Sequence, residues 1–381
     1  MKLKKIRICH ICDRITGQSD GVYTHLLMLL NNIDKSRFEQ IVIFQGGEIV
    51  ENELRKNGVE VFTISGLKKR VSFRGLINIY KILRNEEVDI IHAHLIKPYI
   101  LSGLMNIFLK KKLIFNYNGL FLTSVYHNSL ERYILQILHF LIVFSRSVQI
   151  AIVPSQNSKS LLESETKIFP RVEVYYNGFN PRIESAKNKT IIDKLQKLKK
   201  EYFIVGVVAR IEIQKRIDYA LNILKELKRF KKKVFFVFFG DGPLDKEMVQ
   251  LSNDLGISDQ LKFFGYVESA KDYIQYFDTL LFTSDWEGLP LTMWEAMAAG
   301  IPIISTDVGG IKEILEKEKC GLIYPKGDTD RAIKSIIELM DNNSYGKKLG
   351  ENGKRAIETK YNRDQFIGFF DALYSNLLSN K

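Results

Sequence analysis

Short runs of strand-forming apolar residues recur along this chain, and the segments between them are long enough for a helix. In the first half the runs are Ile6 to Cys12, Gln40 to Phe44, Val59 to Ile64, Val88 to His94, Lys112 to Tyr117, Val148 to Pro154 and Val172 to Tyr176, with amphipathic stretches such as Val22 to Asn31 and Leu76 to Leu83 between them. Strands apolar on both faces and separated by ten or more residues cannot join by tight hairpins, so they predict a parallel sheet covered by helices on both sides. A second series follows: Tyr202 to Ala209, Val234 to Phe239, Leu261 to Phe264, Leu280 to Thr283, Ile301 to Ser305 and Gly321 to Tyr324. The fold class expected is therefore α/β with two Rossmann-like domains, and 381 residues exceed what one core comfortably serves. A shift toward Lys, Asn and Glu between Asn180 and Lys200 marks the connection. The expected domains are residues 1–180 and 181–360, with a last helix in 361–381. Two such domains facing one another would leave a cleft at their carboxyl strand edges.

Composition narrows the partners. The formal charge of +12 asks for something anionic, either a phosphorylated small molecule or an anionic membrane surface. No basic run is interleaved with aromatics, so nucleic acid is not expected. Three cysteines make no secreted disulfide framework and the opening residues carry no leader pattern, so a cytoplasmic protein is expected. Cys9-His10-Ile11-Cys12 has a metal-like spacing, but residues three apart on a strand face opposite ways. His92 and His94 share one strand face that would suit a metal, yet no third ligand stands at a convincing spacing, so no metal ligand is assigned. The apolar stretch Tyr133 to Phe144 falls short of the ~20 residues needed to span a bilayer and reads first as a core helix, with an interfacial helix as the alternative.

Five loops carry the candidate chemistry. The strand Leu280 to Thr283 feeds Ser284-Asp285-Trp286-Glu287-Gly288-Leu289-Pro290, which opens a helix that Gly300 and Pro302 stop. Glu287 sits outside any periodic face at the carboxyl end of a strand, where open α/β sheets bind ligands. Glu295 has two readings, a capping box with Thr292 or a functional carboxylate. Arg210 and Lys215 follow the strand ending at Ala209 and together could balance a diphosphate. Gly240-Asp241-Gly242-Pro243 and Phe264-Gly265-Tyr266-Val267 end the next two strands, the first as a turn and the second with Tyr266 as a stacking surface. Gly21 opens a helix after the first strand, where a glycine lets the backbone approach a phosphate or sugar. Asp328-Thr329-Asp330 has the form of a cation site but reads as a helix cap.

Glu287 and Glu295 with seven residues between them, followed by Ala-Met-Ala-Ala-Gly-Ile-Pro-Ile-Ile, resemble the EX7E signature of the retaining family 4 glycosyltransferases, which have the GT-B fold. The resemblance extends in order and spacing over almost the whole chain. It implies a metal-independent, retaining transferase with no cofactor, whose donor substrate is a nucleoside diphosphate sugar. Glu287 would contact the donor sugar, Glu295 the ribose, and Arg210 and Lys215 the diphosphate, with Gly21, Gly240, Tyr266, Val267, Gly288, Leu289 and Pro290 lining the donor. The last helix would cross back to the first domain. Many members end the fifth strand with His-Gly, where this chain has Asn118-Gly119; Asn118 hydrogen-bonds but does not titrate as His does. Asn118 and His94 are the expected acceptor-side residues. The acceptor expected is a glycan, in particular a lipid-linked cell-envelope polysaccharide precursor reached at the inner face of the membrane. Two alternatives stay open, a non-catalytic nucleotide-sugar binding subunit and a nucleotide-sugar epimerase on the same fold.

Overall fold

The computed structural model describes residues 4–14, 21–45, 47–64, 73–117, 129–166, 171–179 and 187–379. Contacts divide the chain into two compact units, Met1–Gly178 with Arg363–Lys381, and Phe179–Asn362.

In the first unit, strands β1 (Ile6–Arg14), β2 (Phe38–Gln45), β3 (Glu60–Thr63), β4 (Ile90–His94), β5 (Lys112–Asn116), β6 (Ile150–Val153) and β7 (Val172–Val174) alternate with helices α1 (Gly21–Asn32), α2 (Glu48–Lys56), α3 (Phe73–Asn85), α4 (Ile96–Leu109), α5 (Ser129–Phe144) and α6 (Gln156–Thr166). The sheet is parallel throughout, in the order β3-β2-β1-β4-β5-β6-β7. Its strands are apolar on both faces because both are covered. One face packs Ile79, Tyr99 and Ile142 of α3, α4 and α5 against Cys9, Ile91 and Phe115. The other packs Leu29 of α1, and Phe366, Phe370 and Tyr374 of the last helix, against Ile8, Ile90 and Ile114. Arg37 Nη1 donates to both Asp371 carboxylate oxygens, at 2.8 and 2.7 Å, and Nη2 to Ser375 Oγ at 2.6 Å, adding a surface clasp to the same helix.

The second unit runs α7 (Lys189–Lys199), β8 (Phe203–Val208), α8 (Ile217–Arg229), β9 (Val234–Phe239), α9 (Asp245–Asp254), β10 (Leu261–Phe263), β11 (Thr279–Phe282), α10 (Leu291–Ala298), β12 (Ile303–Thr306), α11 (Gly309–Glu318), β13 (Gly321–Tyr324), α12 (Thr329–Asp341) and α13 (Asn343–Thr359); α14 (Arg363–Ser379) belongs to the first unit. Its six-stranded sheet, order β10-β9-β8-β11-β12-β13, is also parallel. Strand order reverses between β8 and β11, so the loops leaving these neighbours diverge and open a crevice at their carboxyl ends. Asp328 caps α12 by accepting the Arg331 backbone N–H at 3.0 Å, which accounts for the Asp-x-Asp without a cation.

Two local readings change. The Thr292 and Glu295 capping box does not form: α10 starts at Leu291, its N-cap is Pro290, and no side chain caps it. Pro290 supplies the extended residue before the helix, which moves Thr292 inside the first turn. The apolar stretch Tyr133 to Phe144 is not a core helix either. Only one stripe of α5 packs inward, through Ile142 and His139, and Tyr133, Ile134, Ile137, Phe140, Leu141 and Phe144 stand exposed. A helix lying on one face of a sheet has a single covered side, and here the outer side is apolar too. No helix among the described residues is long and apolar enough to cross a membrane.

Candidate active site

The crevice between β8 and β11 is built by two loops laced together through the backbone. Thr283 Oγ1 donates to the Lys215 carbonyl at 2.8 Å, the Asp285 N–H donates to the Gln214 carbonyl at 2.9 Å, and Gln214 Nε2 donates to the Trp286 carbonyl at 2.7 Å. Thr306 Oγ1, from β12, ties down the Ser284 carbonyl at 2.8 Å. The lacing fixes the Lys215 side chain against Glu287, with Nζ 2.6 Å from Oε1. Ser284 Oγ donates to the same oxygen, also at 2.6 Å. Among the described residues both contacts to this carboxylate fall on Oε1. The Glu287 side chain is 5% exposed and that of Lys215 17%, so the pair lies largely out of water, where losing one partner would leave a poorly solvated charge.

A glycine pair closes the other side of Glu287. Gly309 begins α11 with φ 55°, and a Cβ there would lie 1.9 Å from the Glu287 carbonyl oxygen. The Gly310 N–H donates to the Gly288 carbonyl at 3.1 Å. Only glycine permits this approach. Ser284, Gly309 and Gly310 were not among the expected site residues. The glycine pair had a readable signal, since it follows the strand Ile303–Thr306 and opens a helix; a serine three residues before a glutamate has none.

The neighbouring loops complete the mouth. Gly240 (φ 130°) lies so close to the β8 loop that a Cβ would sit 2.0 Å from the Ala209 carbonyl oxygen, and its N–H donates to Gly265 at 2.8 Å. The expected turn thereby binds three strand ends together. Arg210 is 70% exposed and its Nε stands 3.8 Å from Glu212, which leaves the guanidinium largely solvated. Tyr266 is 65% exposed and Val267 half-buried. Gly288 is exposed, Leu289 is buried and Pro290 half-buried. Asp285 is held by Lys326 at 3.2 Å and Arg216 at 3.4 Å, and the Arg216 guanidinium stacks 3.5 Å from the Tyr219 ring centre.

Glu295 lies just over one turn into α10. Burial pushes its carboxyl up to about 7, with Lys271 pulling down and Asp272 pushing up more weakly. Freed from capping, it is a desolvated acid that titrates near neutrality.

In the first unit, Gly21 opens α1, and Asn118 lies outside the described residues. His94, expected at a rim on the acceptor side, is instead wholly buried. It ends β4 on the face that α1 and α14 cover, so its ring points into the domain, beside His10 and Asn116.

With this geometry in place, comparison with known proteins becomes specific. Residues 188–356 match the family Glycosyl transferases group 1, and residues 19–182 match Glycosyltransferase Family 4. The chain is 22% identical to the UDP-Gal:alpha-D-GlcNAc-diphosphoundecaprenol alpha-1,3-galactosyltransferase of Escherichia coli, over 99% of this chain and 98% of that one. It is 24% identical to the N-acetyl-alpha-D-glucosaminyl L-malate synthase of Bacillus anthracis, a match spanning about half of both, 54% of each. Among solved structures, HepE of Anabaena in complex with UDP superposes with a TM-score of 0.79 at 19% identity, covering 99% of this chain and 100% of that one. The fold, both sequence families and the Glu287 to Glu295 spacing agree. The chain belongs to the family 4 glycosyltransferases, group 1, the nucleotide-sugar-dependent transferases of the GT-B fold.

Proposed function

We propose that this chain transfers a hexose, with retention of configuration, from a UDP-sugar to a lipid-linked cell-envelope saccharide precursor. The observation that carries the donor half is the buried Lys215, Glu287 and Ser284 group at the switch point of the second sheet. With Oε1 occupied twice, Oε2 is left for a sugar hydroxyl, and the lacing allows Glu287 only one orientation. Lys215 keeps further N–H donors for a phosphate oxygen, and Arg210, its guanidinium largely exposed, adds a bidentate fork. Glu295 suits the two hydroxyls of a ribose, and Tyr266 offers a face for the base. The diphosphate leaves as a stabilised anion, so no acid need protonate it, and on the retaining route it takes the acceptor's proton on the same face. Uridine is favoured because relatives of matching length bear UDP or UDP-galactose in their names. Incubating purified protein with UDP-, GDP- and ADP-sugars without acceptor tests this: slow release of one sugar from its UDP form, unaffected by chelator, is expected. Preference for GDP or ADP would overturn the uridine assignment, and tight binding with no release would favour a non-catalytic subunit.

The acceptor half rests on α5. Its exposed apolar stripe of Tyr133, Ile134, Ile137, Phe140, Leu141 and Phe144 is flanked by exposed Lys110 and Arg146. Such a face suits shallow insertion at an anionic bilayer, where a lipid-linked acceptor is presented. Replacing Ile137 and Phe140 with Ser should release the protein from phosphatidylglycerol vesicles at least tenfold. Both side chains are about half exposed, at 44% and 51%, so the fold should hold. Unchanged co-sedimentation of the folded double variant would remove the docking surface from the proposal.

A further inference from the structure

In the first unit a set of polar side chains is sealed beneath α1 and α14, away from the donor site. His10 of β1 lies opposite His92 of β4 in the parallel register, and His94, two residues on, projects from the same face. All three are wholly buried, with ring centres 4.3 to 5.4 Å apart. One ring nitrogen from each lies within 4.8 Å of those of the other two. The remaining nitrogens are already engaged. His10 Nε2 meets Gln40 Oε1 at 3.0 Å, His92 Nδ1 meets the Tyr374 hydroxyl at 2.8 Å, and His94 Nδ1 meets Asn116 Nδ2 at 3.4 Å. That leaves His10 Nδ1, His94 Nε2 and His92 Nε2. The first two share a hydrogen bond of 3.1 Å, and His92 Nε2 has no partner among the described residues.

We propose that these three nitrogens bind one late transition-metal cation of the zinc type, as a tie between β1 and β4 with no part in sugar transfer. The third ligand that spacing along the chain does not reveal comes from β1, inside the Cys9 to Cys12 stretch whose cysteines are not involved. An orphaned, fully buried imidazole nitrogen needs an explanation, and the His10 to His94 hydrogen bond does not provide one. Two nitrogens bound tetrahedrally to zinc at ~2.0–2.1 Å stand roughly 3.3 Å apart; His10 Nδ1 and His94 Nε2 are 3.1 Å apart, and the three ligand atoms lie within 4.8 Å of one another, so His92 closes in on binding. Each ring's outer nitrogen is held by a second residue, the arrangement that orients metal-binding imidazoles. An all-imidazole set suits zinc, copper or nickel and is unsuited to calcium or magnesium.

Binding requires a tautomer change that the surroundings can absorb. Gln40 Oε1 only accepts, so His10 carries its proton on Nε2 and offers a bare Nδ1. Asn116 Nδ2 donates to His94 Nδ1, which puts the His94 proton on Nε2. Turning the Asn116 amide over would present Oδ1 to a proton on His94 Nδ1 and Nδ2 to the Tyr175 hydroxyl oxygen, and would reverse the contact to His25 as well. The proton changes nitrogen and none is released. The stack of His92 on His94 must also open as the ring turns.

Untagged full-length protein, produced in zinc-supplemented medium and dialysed against chelator, should retain about one zinc per chain by elemental analysis. Folded His92→Phe protein should retain less than a tenth of that. Cobalt(II) supplied in place of zinc should give the intense visible absorption of a tetrahedral, nitrogen-rich site in the wild-type chain. A wild-type chain without retained zinc, or a folded His92→Phe variant with an undiminished zinc content, overturns the proposal. If His92→Phe does not fold by circular dichroism, the wild-type cobalt spectrum decides, and weak octahedral bands or none would refute the site.

Discussion

Glu287→Gln should lower turnover by about 10²–10³-fold with a much smaller change in KM, the size seen when one transition-state contact is removed from a preorganised site. The geometry explains why so conservative a change should be costly. Glutamine can keep its oxygen where Oε1 now receives Lys215 and Ser284, since both are donors. The amide nitrogen then replaces Oε2, turning an acceptor into a donor where a sugar hydroxyl should give its proton. The negative charge is also lost beside an anomeric carbon that becomes positive as the diphosphate departs. The Ser284 bond becomes an ordinary one and the Lys215 ammonium is left with a neutral acceptor in a site largely out of water, so stability should fall by about 3–5 kcal/mol. Ser284→Ala removes one of the two donors that orient the carboxylate and should reduce turnover several-fold. Steady-state kinetics with the donor that the sugar screen identifies decides the matter. Turnover of Glu287→Gln within threefold of wild type would displace Glu287 from the reacting centre.

Legibility in the sequence followed the range of the physics involved. Strand and helix alternation is local and periodic, so the runs from Ile6 to Tyr324 could be placed closely, and Asp328 could be read as a cap from its position before α12. Glu287 stood out because no periodic face accounts for it. What sequence could not give was the consequence of strand order. Lys215 and Glu287 are 72 residues apart, and they meet only because β8 and β11 are neighbours at a reversal of that order. The same holds for His10 and His92, brought together by β1 and β4 from 82 positions apart in the chain, a difference that no motif spacing encodes. Burial was misjudged where one pattern fits two environments. The stretch from Tyr133 to Phe144 is apolar all round, which periodicity cannot distinguish from a core helix, and only the packing shows that a single stripe is covered. His94 failed in the opposite direction, a polar residue at a strand end that nevertheless points under α14. Thr292 and Glu295 satisfied a capping pattern that Pro290 pre-empted.

That last correction makes Glu295→Gln the most discriminating variant, because its effects on stability and on binding should have opposite signs. Unfolded, the carboxyl loses its proton near the ordinary glutamate value of 4.5; folded, burial holds the proton until about 7. Below 4.5 the acid is neutral in both states and its burial costs little. Between pH 4.5 and 7 only the unfolded chain ionises, so stability falls progressively across that window, by about 3 kcal/mol in all, and above 7 no more is lost. Glutamine does not ionise, so Glu295→Gln should melt about 4–8 °C above wild type at pH 8 and within about 2 °C of it at pH 5. The charged form that weakens the fold is the form that accepts two hydroxyl hydrogen bonds at once. UDP should therefore bind the variant about ten- to thirtyfold more weakly at pH 8, the loss of a charged acceptor. Protonation of the terminal UDP phosphate weakens binding to both as the pH drops from 8 to 6, but wild-type affinity should fall more steeply than the variant's because Glu295 is protonated too. Calorimetry with UDP at the two pH values measures both effects on one sample. Equal melting shifts at pH 5 and pH 8 would show that burial does not hold the proton on Glu295, and undiminished UDP affinity would remove Glu295 from the nucleotide site.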